Sequence, residues 1–134
     1  MLKILFFILV FASSTFSALA QTEEKPKAYL FDEFSANSKV EVKTKTENLR
    51  KKLQETAWSE KPVGAYLRFF YNEKRKSSFN IQNLVRDTLF DNCRDCLGYS
   101  PRIVFVNIEN SKEQKVQFWL VPLGAEEPKP ENEE

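Results

Sequence analysis

Apolar residues recur along this chain in two rhythms, one of about two residues and one of three to four, with polar stretches between them. Ala28 to Phe34 places Tyr29, Phe31 and Phe34 in a short run of β-favouring bulk and predicts a first strand. Ser38-Lys39-Val40-Glu41 then reads as a capping box, in which a Ser oxygen and a Glu carboxylate satisfy free amides at a helix start. The spacing of Val42, Thr46, Leu49, Leu53 and Ala57 predicts a helix over 39–57 with one narrow buried face, closed off by Pro62. Val63 to Tyr71 alternates: Val63, Ala65, Leu67, Phe69 and Tyr71 fall on one side, and Tyr66 and Phe70 flank Arg68 on the other. Bulk on both sides predicts an interior strand.

A polar loop over 72–78 leads to a second predicted helix over 79–97. Its stripe is Ile81, Leu84, Val85, Thr88, Leu89, Cys93 and Cys96, with Gly98 placed to end it. Strands are predicted over 102–108 and 115–122, and the turn residues Glu109 to Glu113 between them predict a hairpin. The order βαβαββ gives an α/β fold, a two-layer sandwich of about four strands and two helices, with both helices on one side of the sheet.

The ends of the chain have a different character. Lys3 followed by the apolar run Ile4 to Phe11 and then Ala18-Leu19-Ala20 has the form of a secretory signal peptide over 1–20, with cleavage after Ala20. Ser13, Ser14, Thr15 and Ser17 interrupt the run short of the ~20 residues a membrane span needs, so no stable membrane anchor is expected after cleavage. The product is expected to be exported, periplasmic or secreted. Residues 21–27 read as a flexible leader and 28–124 as a single α/β domain. The acidic Pro/Glu tail, 125–134, has too little apolar surface to fold and is expected to be disordered.

Composition narrows the chemistry. The chain of 134 residues has 20 basic and 19 acidic side chains, a balance that gives no concentrated attraction for nucleic acid. Histidine is absent, which removes the commonest general base and metal ligand and excludes Ser-His and Cys-His catalysis. No metal or cofactor is expected. Asp32 and Glu33, adjacent on a strand, point to opposite faces and cannot converge on one substrate.

Two constellations remain. Lys74, Arg75, Lys76, Ser77 and Ser78 lie between a strand and a helix, where helix N-terminal amides favour anions, and Arg86 on the helix is a candidate to reach in. The plainer reading is a solvated loop whose serines cap the helix. Cys93 and Cys96 have the spacing of a thiol redox motif, but they fall late in the predicted helix beside Asp91 and Asp95, where negative charge opposes thiolate formation. A disulfide or packed thiols is the expectation there. If the sheet's second face is uncovered, Tyr66, Phe70 and Trp119 on it would mark a partner or ligand surface.

The opening Phe31-Asp32-Glu33-Phe34-Ser35-Ala36, the element order and the exported context together resemble a distant, degenerate OmpA-like domain, the peptidoglycan-binding module of bacterial envelopes, over about Tyr29 to Ile108. That family clasps the diaminopimelate group of the peptide stem with a Thr-Asp pair after the second strand and an Arg on the second helix. The matching loop here, Tyr71-Asn72-Glu73-Lys74-Arg75-Lys76, contains no Asp, and Arg86 is the helix arginine. The closing segment Phe118 to Ala125 is similar to that of small uncharacterised exported bacterial proteins, which implies no activity. The expected function is a non-enzymatic envelope module that binds a protein partner or a cell-wall component such as peptidoglycan. Its rivals are a thiol-disulfide oxidoreductase using Cys93 and Cys96, and a purely structural exported protein.

Overall fold

A computed structural model describes residues 24–75, 77–91, 97 and 102–129. The predicted signal peptide, Cys93, Cys96 and the predicted helix end at Gly98 lie outside the described residues. Six elements follow one another: β1 (Tyr29–Ser35), α1 (Lys39–Thr56), β2 (Gly64–Phe70), α2 (Ile81–Phe90), β3 (Ile103–Ile108) and β4 (Lys115–Val121). The two-layer α/β sandwich of four strands and two helices is what the pattern predicts, and each strand lies within a residue or so of its expected bounds.

The caps explain the helices. Ser38, in extended conformation, accepts a hydrogen bond from the Glu41 amide at 3.5 Å and opens α1. Asn80, rather than Ser77 or Ser78, caps α2 by accepting from the Asn83 amide at 3.0 Å. Helix α2 ends at Phe90, short of the predicted 97. Val42, Thr46, Leu49 and Leu53 are the buried face of α1, and Ile81, Val85, Thr88 and Leu89 that of α2.

Strand pairing departs from the expectation in one respect. The sheet order is β1-β4-β2-β3, with β4 antiparallel to both β1 and β2, and β2 parallel to β3. The last two strands therefore form no hairpin. The chain leaves β3 through 109–114 and rounds the end of β2, where the Tyr71 carbonyl accepts from the Ser111 amide at 2.9 Å. It then runs back on the far side of β2. Burial explains the choice: Val116, Phe118 and Leu120 are fully buried, whereas every residue of β3 is at least partly accessible. The strand with the larger apolar load takes the interior position.

Ala65, Leu67 and Phe69 of β2, Val116, Phe118 and Leu120 of β4, and Phe34 of β1 form the core with both helices. Phe34 meets Phe118 edge-on at 5.2 Å between ring centroids. Both helices belong to this one core, which leaves the sheet's other face without a helical layer. The alternation also divides Asp32 from Glu33 as expected. Asp32 pairs with Lys45 of α1 at 3.1 Å, and Glu33 pairs with Gln117 and Lys115 on the other face.

Residues 125–129, the described part of the tail expected to be disordered, have partners on the sheet. Gly124, at φ +83°, turns the chain, and residues 125–129 return across the helix-free face. Glu126 meets Lys25 at 2.8 Å and Glu127 meets Arg102 at 3.2 Å, so part of the predicted flexible leader also has a partner. Hydropathy predicts disorder here because it weighs apolar burial. Carbonyl acceptors and charges, which it does not weigh, are what hold these residues.

Candidate functional site

Arg68 stands in the middle of β2, opposite Gln117 of β4 and Val106 of β3, on the face the helices leave uncovered. It is 3% exposed. Its guanidinium carbon lies 5.5 Å from the Tyr66 ring centroid and 5.4 Å from that of Trp119, both within cation–π range. Pairing of Tyr66 with Trp119 across β2 and β4 sets these two rings side by side. One guanidinium nitrogen, Nη2, donates to the backbone carbonyls of Pro128 at 2.9 Å and Lys129 at 2.6 Å. Among the described residues no carboxylate forms an ion pair with it. A cation is thus taken out of water and stabilised by two aromatic faces and two peptide carbonyls.

Polar contacts extend from this centre to the sheet edge. Trp119 Nε1 donates to Gln117 Oε1 at 3.1 Å, and Gln117, itself buried, donates from Nε2 to Glu33. Lys115 lies 3.6 Å from the same carboxylate and 4.9 Å from the centroid of Phe70. These contacts hold the Trp119 ring in place through its indole N–H, so the aromatic wall beside Arg68 is fixed before anything binds.

The tail covers only part of the face. Beyond Arg68, towards the 109–113 loop, an open cleft of about 780 Å³ is lined by Tyr66, Arg68, Phe70, Val106, Ile108 and Lys115, among others. Apolar walls, cations from Arg68, Lys112 and Lys115 and carboxylates from Glu109 and Glu113 form a mixed surface for a ligand that offers both aliphatic bulk and polar groups.

The residues proposed from sequence are more scattered. Arg75 and Ser77 line a shallow cleft of about 580 Å³ with Asn72, Asn80 and Asn110, while Lys74 faces a neighbouring depression. Ser78 is exposed, Lys76 lies outside the described residues, and Ser77 Oγ accepts from the Phe79 amide at 3.4 Å. Arg86 is laid over the Phe105 ring, 4.9 Å from its centroid. It does not join Arg75 and Ser77 around their cleft.

Sequence reasoning placed Tyr66, Phe70 and Trp119 on the second face but assigned Arg68 no role. The signal was there: one arginine in an interior strand otherwise made of uncharged residues, where a charge is costly unless it has a purpose. Compared with family models, with curated proteins and with solved structures, the chain matches none.

Proposed function

We propose that this protein is an exported, non-enzymatic binding module of the cell envelope, and that its open sheet face receives an extended segment of a protein partner. One observation carries the reading: Arg68, buried between Tyr66 and Trp119 with no carboxylate partner among the described residues, spends its hydrogen bonds on main-chain carbonyls. A guanidinium that reads peptide carbonyls recognises an extended backbone whatever its side chains, while the neighbouring cleft takes the side chains. The apolar run at 4–11 and Ala18-Leu19-Ala20 support export.

The test uses a photo-crosslinking amino acid in place of Val106, on the open face, and in place of Lys43, exposed on α1, in the full chain in cells. A protein adduct from position 106 and none from 43 is expected. Adducts from neither position, or from both alike, would remove the face as a binding surface. Sedimentation with purified peptidoglycan is the companion measurement. Sedimentation that depends on Lys74 and Arg75 and not on Arg68 would move the site to the loop after β2.

A further inference from the structure

We propose that residues 125–129 are a resident occupant of the open face, and that the partner segment displacing them is an extended acidic peptide containing proline. This rests on the reading of the open face as a peptide-binding surface and adds to it the chemistry of the ligand and the means by which access is controlled. The chain itself presents the model ligand. Its tail reads Glu126-Glu127-Pro128-Lys129-Pro130. Residues before proline are pushed towards extended backbone, so Glu127 and Lys129 are both biased to it. Such a backbone leaves its carbonyls turned outward, free to accept. Two consecutive carbonyls, those of Pro128 and Lys129, meet the single Nη2 of Arg68.

Charge complementarity fixes the rest. Lys25 and Arg102 stand at the rim of the face and receive Glu126 and Glu127 at 2.8 and 3.2 Å. These rim side chains are largely solvent-exposed, Arg102 at 81%, so they steer and orient the segment more than they hold it. The tail follows β4 through the single turn at Pro122 to Ala125, where the Ala125 amide donates to the Pro122 carbonyl at 2.9 Å. So short a tether keeps it at a high effective concentration over the face. A partner peptide of like chemistry must therefore compete, and any event that loosens the tail opens the face.

The experiment measures binding of a fluorescent peptide of sequence Gly124–Glu134 to the full chain by polarisation. A second full chain carries Glu126→Lys, Glu127→Lys and Pro128→Gly, which removes the rim pairs and the backbone bias at position 127 of its own tail and leaves the face intact. The peptide is expected to bind this loosened chain about tenfold or more tightly than wild type. Adding Arg68→Met, or separately Arg102→Ala, should lower that affinity several-fold, as should reversing the peptide's acidic residues to lysine. Equal affinity for wild-type and loosened chains, or no response to Arg68→Met and Arg102→Ala, overturns the proposal. Concentration-dependent dimerisation of the wild-type chain through exchanged tails would put a second copy on the face and overturn it as well. Should crosslinks form at position 106 while this peptide fails to bind, only the ligand chemistry falls and the face remains a binding surface.

Discussion

Replacing Arg68 with methionine removes the guanidinium and keeps most of the unbranched stem, which makes it a sharp test of what that charge contributes. A hydrogen bond to a charged group is worth about 1.5–3 kcal/mol net, and two that share one nitrogen together give roughly 2 kcal/mol. Against this, burying a cation carries a desolvation cost of several kcal/mol, which the variant no longer bears. Methionine also refills the slot between Tyr66 and Trp119 with a sulfur contact worth about 0.3–1.5 kcal/mol, in place of two cation–π contacts worth about 1–2 kcal/mol each. Global stability should therefore change by no more than about 1 kcal/mol, read as a urea midpoint followed by circular dichroism. The tail behaves differently, because it loses both acceptor contacts and gains nothing. Its opening becomes easier by about 2 kcal/mol, roughly a thirtyfold rise in the open fraction. A Glu-specific endoprotease cutting after Glu126 should report this rise directly. Unchanged cleavage with a large drop in midpoint would mean that Arg68 serves the fold and not the tail, and the reasoning would be refuted.

Other expectations test the frame around the site. A Cβ at Gly64 would come 2.7 Å from the Arg102 carbonyl oxygen, itself the acceptor of the Ala65 amide, so Gly64→Ala should cost about 1–3 kcal/mol by calorimetry. Phe118→Ala empties a fully buried position beside Phe34 and should cost about 3–5 kcal/mol in urea unfolding, several times the effect of Arg68→Met. Burial raises the Tyr71 phenol above its ordinary value of 10.0. The stability this represents is intact below pH 10 and falls as pH climbs from there to the folded value; an absorbance titration should contain a late-ionising component that Tyr71→Phe removes. The Glu126 carboxyl is lowered by its hydrogen bond to Lys25 and by that residue's charge. The Glu126–Lys25 pair should accordingly be intact above about pH 4.5 and be lost as pH falls through the lowered value, seen as a small increase in exchange of the tail in acid.

Much of the fold was legible because helices and half-buried strands write their periods into sequence. Val42, Thr46, Leu49 and Leu53 marked one helix face, and the alternation through Ala65, Leu67 and Phe69 marked the core side of β2. Pairing order was not legible. A turn-rich stretch such as 109–113 is compatible with a hairpin and also with a loop around the end of a neighbouring strand, and only total burial distinguishes the two. The site was half legible: Tyr66, Phe70 and Trp119 stood out by bulk and alternation. What turns them into a site is a contact between Arg68 and carbonyls about 60 residues away, and a backbone oxygen leaves no trace in side-chain identity. The loop after β2 drew attention through its charges, yet Arg86 spends its cation on Phe105, a neighbour that spacing along the helix does not reveal.

The place of β4 between β1 and β2 also governs when this protein can fold. Among the described residues β1 pairs with β4 alone, so the first of the six elements waits for the sixth. While residues 115–121 are still within the ribosome, β1 has no neighbour, one side of β2 is bare, and Val116, Phe118 and Leu120 are missing from the core. Contacts that span most of the chain form slowly and late. The domain consequently remains uncommitted until residues 115–121 are free to pair, a state in which chaperones can still handle it as an open polypeptide.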